Sequence, residues 1–172
     1  MTQARWQLAL HAHREAHPER LVPDHTRLMF VVCSESTAAA SVLAAFSTAY
    51  ALQTLTGVSH DLDIAASATL EYGILARGVR HIVICGHDSC RGDGDARTPE
   101  ASQAVLVARC RALVDDAHMG RILRSAYVTV RALWFEQASH EIYACDFEGR
   151  PARCMDDVDL VAMFASFDEL SA

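Results

Sequence analysis

Two short stretches of this chain are dominated by apolar residues: Arg27–Cys33 (RLMFVVC), a continuous apolar run after its first residue, and Val79–Gly86 (VRHIVICG), which reads as a second buried strand. A strand with one wet face alternates polar and apolar residues. A continuous run rich in Val and Ile is buried on both faces, as in a parallel sheet. Between them, Asp63–Arg77 reads as a helix. Asp63 can cap its start, Ile64, Ala68, Glu71-Tyr72 and Leu75 recur at helical spacing, and Gly78 is placed to end it. Parallel strands need a crossover, so the strand–helix–strand succession predicts a βαβ unit. The expected architecture is α/β, with a central, mostly parallel sheet flanked by helices on both faces.

The remaining elements follow from local signals. Gln3–Glu15 reads as a helix, ended by Pro18 and Pro23. Ser34–Ala49 is Ala-rich and helical in tendency, and Tyr50–Leu55 reads as a strand closed by Thr56-Gly57. Gly92–Arg97 is a polar loop. Thr98 is a candidate N-cap with Pro99 at the first helical position, and Val107, Cys110 and Val114 make that helix's apolar stripe. Tyr127–Glu136 and Glu141–Cys145 predict a hairpin around Gln137–His140 that extends one sheet edge. Met155–Leu170 reads as a last amphipathic helix.

The 172 residues suit one domain over 1–172, and 51% apolar content suffices for its core. A net charge of −7 argues against nucleic acid and against an anionic membrane surface, both of which need a basic footprint. The longest apolar candidate, Ala38–Leu55, is broken by Ser41, Ser47, Thr48 and Gln53, short of the roughly 20 residues a membrane span needs. Met1–Arg20 lacks the apolar core of a secretory signal, so the expectation is a cytoplasmic protein. In that setting the six cysteines are read as reduced, some buried and some available to a metal.

Cys33 stands at the C-terminal end of the first apolar run, and His87-Asp88-Ser89-Cys90 follows the second. Ligand sites of open parallel sheets form outside the carboxyl ends of strands, so neighbouring strands would bring these groups to one point. Cys33, His87 and Cys90 make a Cys₂His zinc set, with a fourth tetrahedral position open as in catalytic sites. Asp88 is the candidate to hydrogen-bond nearby as an outer partner. His81 reads as a packed or surface histidine, Cys85 as core, and His11, His13 and His17 as solvated.

The segment Thr69–Cys90 (TLEYGILARGVRHIVICGHDSC) resembles the β-class carbonic anhydrase signature: an S-L-E-Y-A-V helix, an L-G-V turn, an I-V-V-C-G-H strand and H-x-x-C-G. Val31–Thr37 (VVCSEST) is similar to the family's V-V-C-S-D-S-R, and Trp134–Ile142 (WFEQASHEI) to its W-x-Y-D-x-x-T-G-x-I hairpin. The resemblance runs from about residue 27 to 145, in the right order. It implies a Zn²⁺ cofactor on Cys33, His87 and Cys90, and reversible hydration of CO₂ to bicarbonate by zinc-bound hydroxide. It also implies a homodimer or dimer-built tetramer, with residues 1–20 as an N-terminal helical arm.

The same comparison shows departures. In the family an Asp orients the zinc-bound hydroxide and an Arg holds that Asp off the metal. Glu35 and Thr37 stand at those positions here. Glu35 keeps the charge with one more methylene, and can orient water or become a fourth ligand. Thr37 cannot clamp a carboxylate. Arg91 replaces the Gly after the second Cys and is a candidate for the missing cation, so Glu35, Asp88 and Arg91 are the candidate catalytic residues. These departures leave open CO₂ hydration, reaction with a related heterocumulene (COS or CS₂), and an inactive zinc-binding relative serving a structural, partner-binding or regulatory role. A redox or zinc-storage protein is disfavoured by the lack of any Cys-x-x-Cys pair.

Overall fold

The computed structural model describes residues 27–36, 50–54, 64–88, 90, 98–148, 150–156, 159 and 162–163. The expected N-terminal helix and arm, His11, His13, His17, residues 37–49, Asp61, Asp63, Arg91 and the Gly92–Arg97 loop lie outside them. The described elements are β1 (Leu28–Cys33), β2 (Tyr50–Thr54), α1 (Ile64–Arg77), β3 (His81–His87), α2 (Pro99–Asp115), α3 (Met119–Ser125), β4 (Thr129–Glu136), β5 (Glu141–Cys145) and β6 (Arg153–Cys154).

The strands form one six-stranded sheet in the order β2-β1-β3-β4-β5-β6. The first four run parallel, and β5 and β6 are added antiparallel at one edge. The two apolar-rich strands, β1 and β3, are neighbours near its centre, with Val32 opposite Cys85. All six residues of β1 are buried. Alternate residues Met29, Val31, Ile82, Ile84, Ala132, Trp134 and Cys145 pack in one core with Leu70 and Ile74 of α1, Leu106, Cys110 and Leu113 of α2, and Ile122 and Leu123 of α3. The strand period of two puts Phe30, Val32, Val83, Leu133 and Phe135 on the opposite face, and these are buried as well. The described helices pack on one face of the sheet, and the expected helix Gln3–Glu15 and most of the expected Ser34–Ala49 helix lie outside the described residues.

Several boundaries match the local chemistry. Gly78 follows α1 with φ +74°, a left-handed conformation that a Cβ would strain. Thr98 caps α2, its hydroxyl accepting from Ala101 N at 3.2 Å, and Pro99 opens the helix. The hairpin strand β5 spans the expected Glu141–Cys145.

Other expectations are corrected. Val79 and Arg80 precede β3 rather than opening it, and the strand continues through His87. β4 begins at Thr129, because Tyr127 adopts φ 54° and cannot extend a strand. In α1 the residues chosen for periodicity face outward. Ile64, Tyr72 and Leu75 are exposed, while Ala66, Leu70, Gly73 and Ile74 are buried. The helix is apolar nearly all round, so spacing alone did not select its inner face. In α2 the buried stripe is Leu106, Cys110 and Leu113, with Val107 and Val114 only partly buried. The helix α3 had no counterpart in the sequence reading. Arg153-Cys154 pairs with β5 as a short edge strand, so the last helix cannot begin at Met155 or Asp156. Asp159, Ala162 and Met163 are helical.

No helix among the described residues is long and apolar enough to cross a membrane.

Candidate metal centre

β1 and β3 are parallel neighbours, so their carboxyl ends open at the same sheet edge. Cys33 ends β1 and His87 ends β3. The chain turns after β1, with Ser36 N donating to the Cys33 carbonyl at 3.1 Å, and this brings Glu35 back over the same edge. Cys90 returns three residues after His87. The ligand atoms of Cys33, Glu35, His87 and Cys90 all lie within 4.8 Å of one another. Cys33 and His87 are buried, while Glu35 and Cys90 reach solvent.

Two observations test whether this group suits zinc. The Sγ atoms of Cys33 and Cys90 are 3.8 Å apart. Two sulfurs each 2.3 Å from a tetrahedral zinc would be separated by about 3.8 Å. His87 Nδ1 lies 2.7 Å from the Asp88 carbonyl, which can only accept, so Nδ1 carries the proton. The lone pair of neutral His87 is therefore on Nε2, which is buried with no hydrogen-bond partner among the described residues. A buried, unsatisfied nitrogen beside two sulfurs is costly unless something binds it. The donor set fits.

Asp88 does not join the cluster through its carboxylate. Its Oδ1 accepts from Gln137 N at 3.0 Å, and its N donates to the Phe135 carbonyl at 3.2 Å. Its carbonyl, not its side chain, meets His87. Gln137, at the β4–β5 turn, was not foreseen as a site residue. Its Nε2 lies 3.3 Å from the Asp88 carbonyl and 3.3 Å from His87 Nδ1. Thr37 and Arg91 lie outside the described residues, so no clamp on Glu35 is assigned to either. A cleft of about 650 Å³ between α2 and β5 is lined by Gln103, Val107, Arg111, Tyr143, Cys145 and Arg150 and contains none of the four candidate ligands. Donor chemistry, rather than volume, locates this site.

The other cysteines are distinct in kind. No disulfide joins any of the six. Burial pushes the Cys85 thiol far up, and raises Cys110 and Cys145 to about 12. Thiolate is the reactive form, so a disulfide reagent near pH ~8 should leave Cys85, Cys110 and Cys145 untouched until the protein unfolds. Cys154 is exposed and should react. Peptide mapping of the labelled protein checks this, and fast labelling of Cys110 in the native state would contradict its burial. His81 is buried, and burial holds its imidazole below the usual range, in keeping with a packed histidine.

Comparison with known proteins agrees with this geometry. Residues 28–132 match the carbonic anhydrase family. Similar solved structures include several β-carbonic anhydrases. CafD of Aspergillus fumigatus is 17% identical, with 69% of this chain and 88% of that one covered at a TM-score of 0.55. CafA of the same fungus is 16% identical, covering 94% and 92% at 0.58. A tetrameric enzyme of Sordaria macrospora is 16% identical, covering 80% and 90% at 0.59. No curated protein matches the chain significantly. A six-stranded, mostly parallel sheet with a Cys–Glu–His–Cys group at its carboxyl edge marks an α/β protein with a candidate metal site. The chain belongs to the β-carbonic anhydrase family, as a divergent member.

Proposed function

We propose that this protein is a zinc-dependent lyase that hydrates CO₂ reversibly to bicarbonate, with Cys33, His87 and Cys90 holding the metal. The observation that carries this reading is the 3.8 Å Cys33–Cys90 sulfur separation beside a buried His87 Nε2. Zinc, when bound, supplies the Lewis acidity that makes water nucleophilic near neutral pH. The chain's own contribution is orientation. The Asp88 carbonyl fixes the His87 ring, buried Cys33 keeps its side of the site dry, and Glu35 accepts a hydrogen bond from the attacking water. COS and CS₂ are the related substrates, and a homodimer or dimer-built tetramer is the expected assembly.

A specific observation favours a second reading, an inactive zinc-binding relative. The Glu35 carboxylate already lies within 4.8 Å of the other three ligand atoms. As a fourth ligand it would close the site with one net negative charge and leave no place for water.

Stopped-flow CO₂ hydration by zinc-loaded protein at pH ~7 and ~8.5 tests the proposal. Glu35→Ala separates the two readings. If Glu35 orients water, the rate falls, by about 100-fold where proton handling is also lost. If Glu35 blocks the site, the rate rises from nothing. A wild-type protein with full zinc and no rate at either pH, on CO₂, COS or CS₂, would leave the closed site as the correct reading.

A further inference from the structure

We propose that the outward face of α1 is a self-association surface, on which α1 of a second copy packs head to tail with Ala68 of each chain against Tyr72 of the other. The inference rests on the homodimer expected above, to which none of the described residues has been assigned, and it holds whatever the metal centre catalyses.

A surface helix ordinarily turns charged side chains to solvent, and a helix that is apolar all round is a buried one. α1 buries Ala66, Leu70, Gly73 and Ile74 on its inner side. On its outer side Ile64, Ala68, Tyr72 and Ala76 form a row at i+4 spacing, flanked by Ala65 and Leu75, and all six are exposed. None carries a charge. Thr69, beside them, already donates its hydroxyl to the Ala65 carbonyl at 2.7 Å. Ile64 is 90% exposed, Tyr72 61% and Leu75 60%, and these three offer about half of the ~800 Å² per partner that a stable dimer buries. The alanines and the polar margin adjoin them.

The face fits itself. Helices that cross at about 50° bring their i±4 rows parallel. Two copies of the row, running in opposite directions about a two-fold axis at the height of Leu70, set Ile64 against Ala76 and Ala68 against Tyr72. Every large side chain of the row then meets a small one. Closed homo-oligomers pair one patch with its own copy in this way.

The charges agree with a second copy as the occupant. Glu71 at the margin pairs with His118 of its own chain at 2.9 Å. Arg77 Nε donates to the Tyr50 hydroxyl at 2.7 Å, with its guanidinium 5.4 Å from the centre of that ring. Covering the face therefore leaves neither charge without a partner. Two chains of net charge −7 repel each other, and a face without charge lets them meet with the least repulsion. The whole is an apolar centre with a polar rim, the usual anatomy of an interface.

Sedimentation of the full-length, zinc-loaded protein at micromolar concentration tests the proposal. The wild type should run as two chains or a multiple of two. Ala68→Glu places a good helix former at an exposed position, and circular dichroism should show it folded. It should weaken self-association by at least about 100-fold, because the pairing would bury an unpaired carboxylate on each side of the axis. A second measurement does not depend on that variant. Mixed Ile64→Cys and Ala76→Cys chains, bridged by a short bis-maleimide, should yield a cross-linked peptide joining positions 64 and 76. An intact Ala68→Glu dimer, or the absence of that cross-link, would overturn the surface and leave the expected assembly standing, with the first 20 residues as the alternative contact. A wild type of one chain would overturn both. Zinc binding is measured apart by chelator competition, so failure of the metal reading would leave this result untouched.

Discussion

Cys90→Ser should lower zinc affinity by more than about 100-fold, because loss of an outer-shell partner alone costs about 10–100-fold and this change removes a ligand. Serine keeps the size but has no thiolate, and its hydroxyl is a poor zinc donor at neutral pH. Cys90 is the better choice than Cys33 because it reaches solvent, whereas Cys33 sits in the sheet at 1% exposure. Substituting Cys33 would mix metal loss with core damage. The measurement is chelator competition on folded protein, with cobalt substitution as a second readout. The cobalt–thiolate absorption of the wild type should lose the share contributed by one sulfur. Three donors remain in Cys90→Ser, namely Cys33, Glu35 and His87, so some residual binding is expected. Wild-type affinity in the variant would show that Cys90 is not a ligand, and the site would then reduce to the other three residues.

Trp134→Ala should destabilise the fold by about 3–5 kcal/mol, the usual range for deleting a buried aromatic ring. That is a large part of the roughly 5–15 kcal/mol available to a typical domain. Trp134 is 1% exposed and joins the core shared by β3, β4, α1 and α2. Its ring meets Tyr143 edge-on at 5.6 Å between centroids. It also explains Gly86. A Cβ there would stand 3.0 Å from Leu106 Cδ2 and 3.3 Å from Trp134 Cδ1, so the residue before His87 must be small for α2 and β4 to approach. Trp134 Nε1 has no hydrogen-bond partner among the described residues, so Trp134→Phe loses volume but no polar contact. It should cost distinctly less than Trp134→Ala. Urea unfolding of zinc-free protein measures both. Near-equal losses from the two variants would place the Trp134 contribution in something other than ring packing.

These two predictions draw on different levels of the molecule. Cys90 was picked out from the sequence by its spacing from His87 and by the position of both after an apolar run. The parallel pairing of β1 and β3 was likewise inferable, because runs such as LMFVVC and HIVICG have no polar face and must be covered on both sides. Local chemistry also marked Gly78 and the Thr98-Pro99 start of α2, since caps depend on a few adjacent residues.

Where a decision depended on which surface meets which, the sequence alone was ambiguous. In α1, Ile64, Tyr72 and Leu75 are as apolar as Leu70 and Ile74, yet only the second set packs against Met29, Val31 and Val79. Arg153-Cys154 has no intrinsic strand signal, and it becomes a strand because β5 presents an open edge.

The candidate donors were legible in the sequence itself, because metal-binding capacity is a property of side-chain chemistry that Cys, His and carboxylate groups carry wherever they stand. Their orientation was decided only by tertiary structure. Gln137 lies 50 residues from His87 along the chain and becomes its neighbour through the β3–β4 register. The carboxylate of Asp88 turns to the hairpin rather than to the four candidate ligands for the same reason. Hydrogen bonds of that kind depend on positions good to a fraction of an ångström, and only the packed sheet supplies those positions.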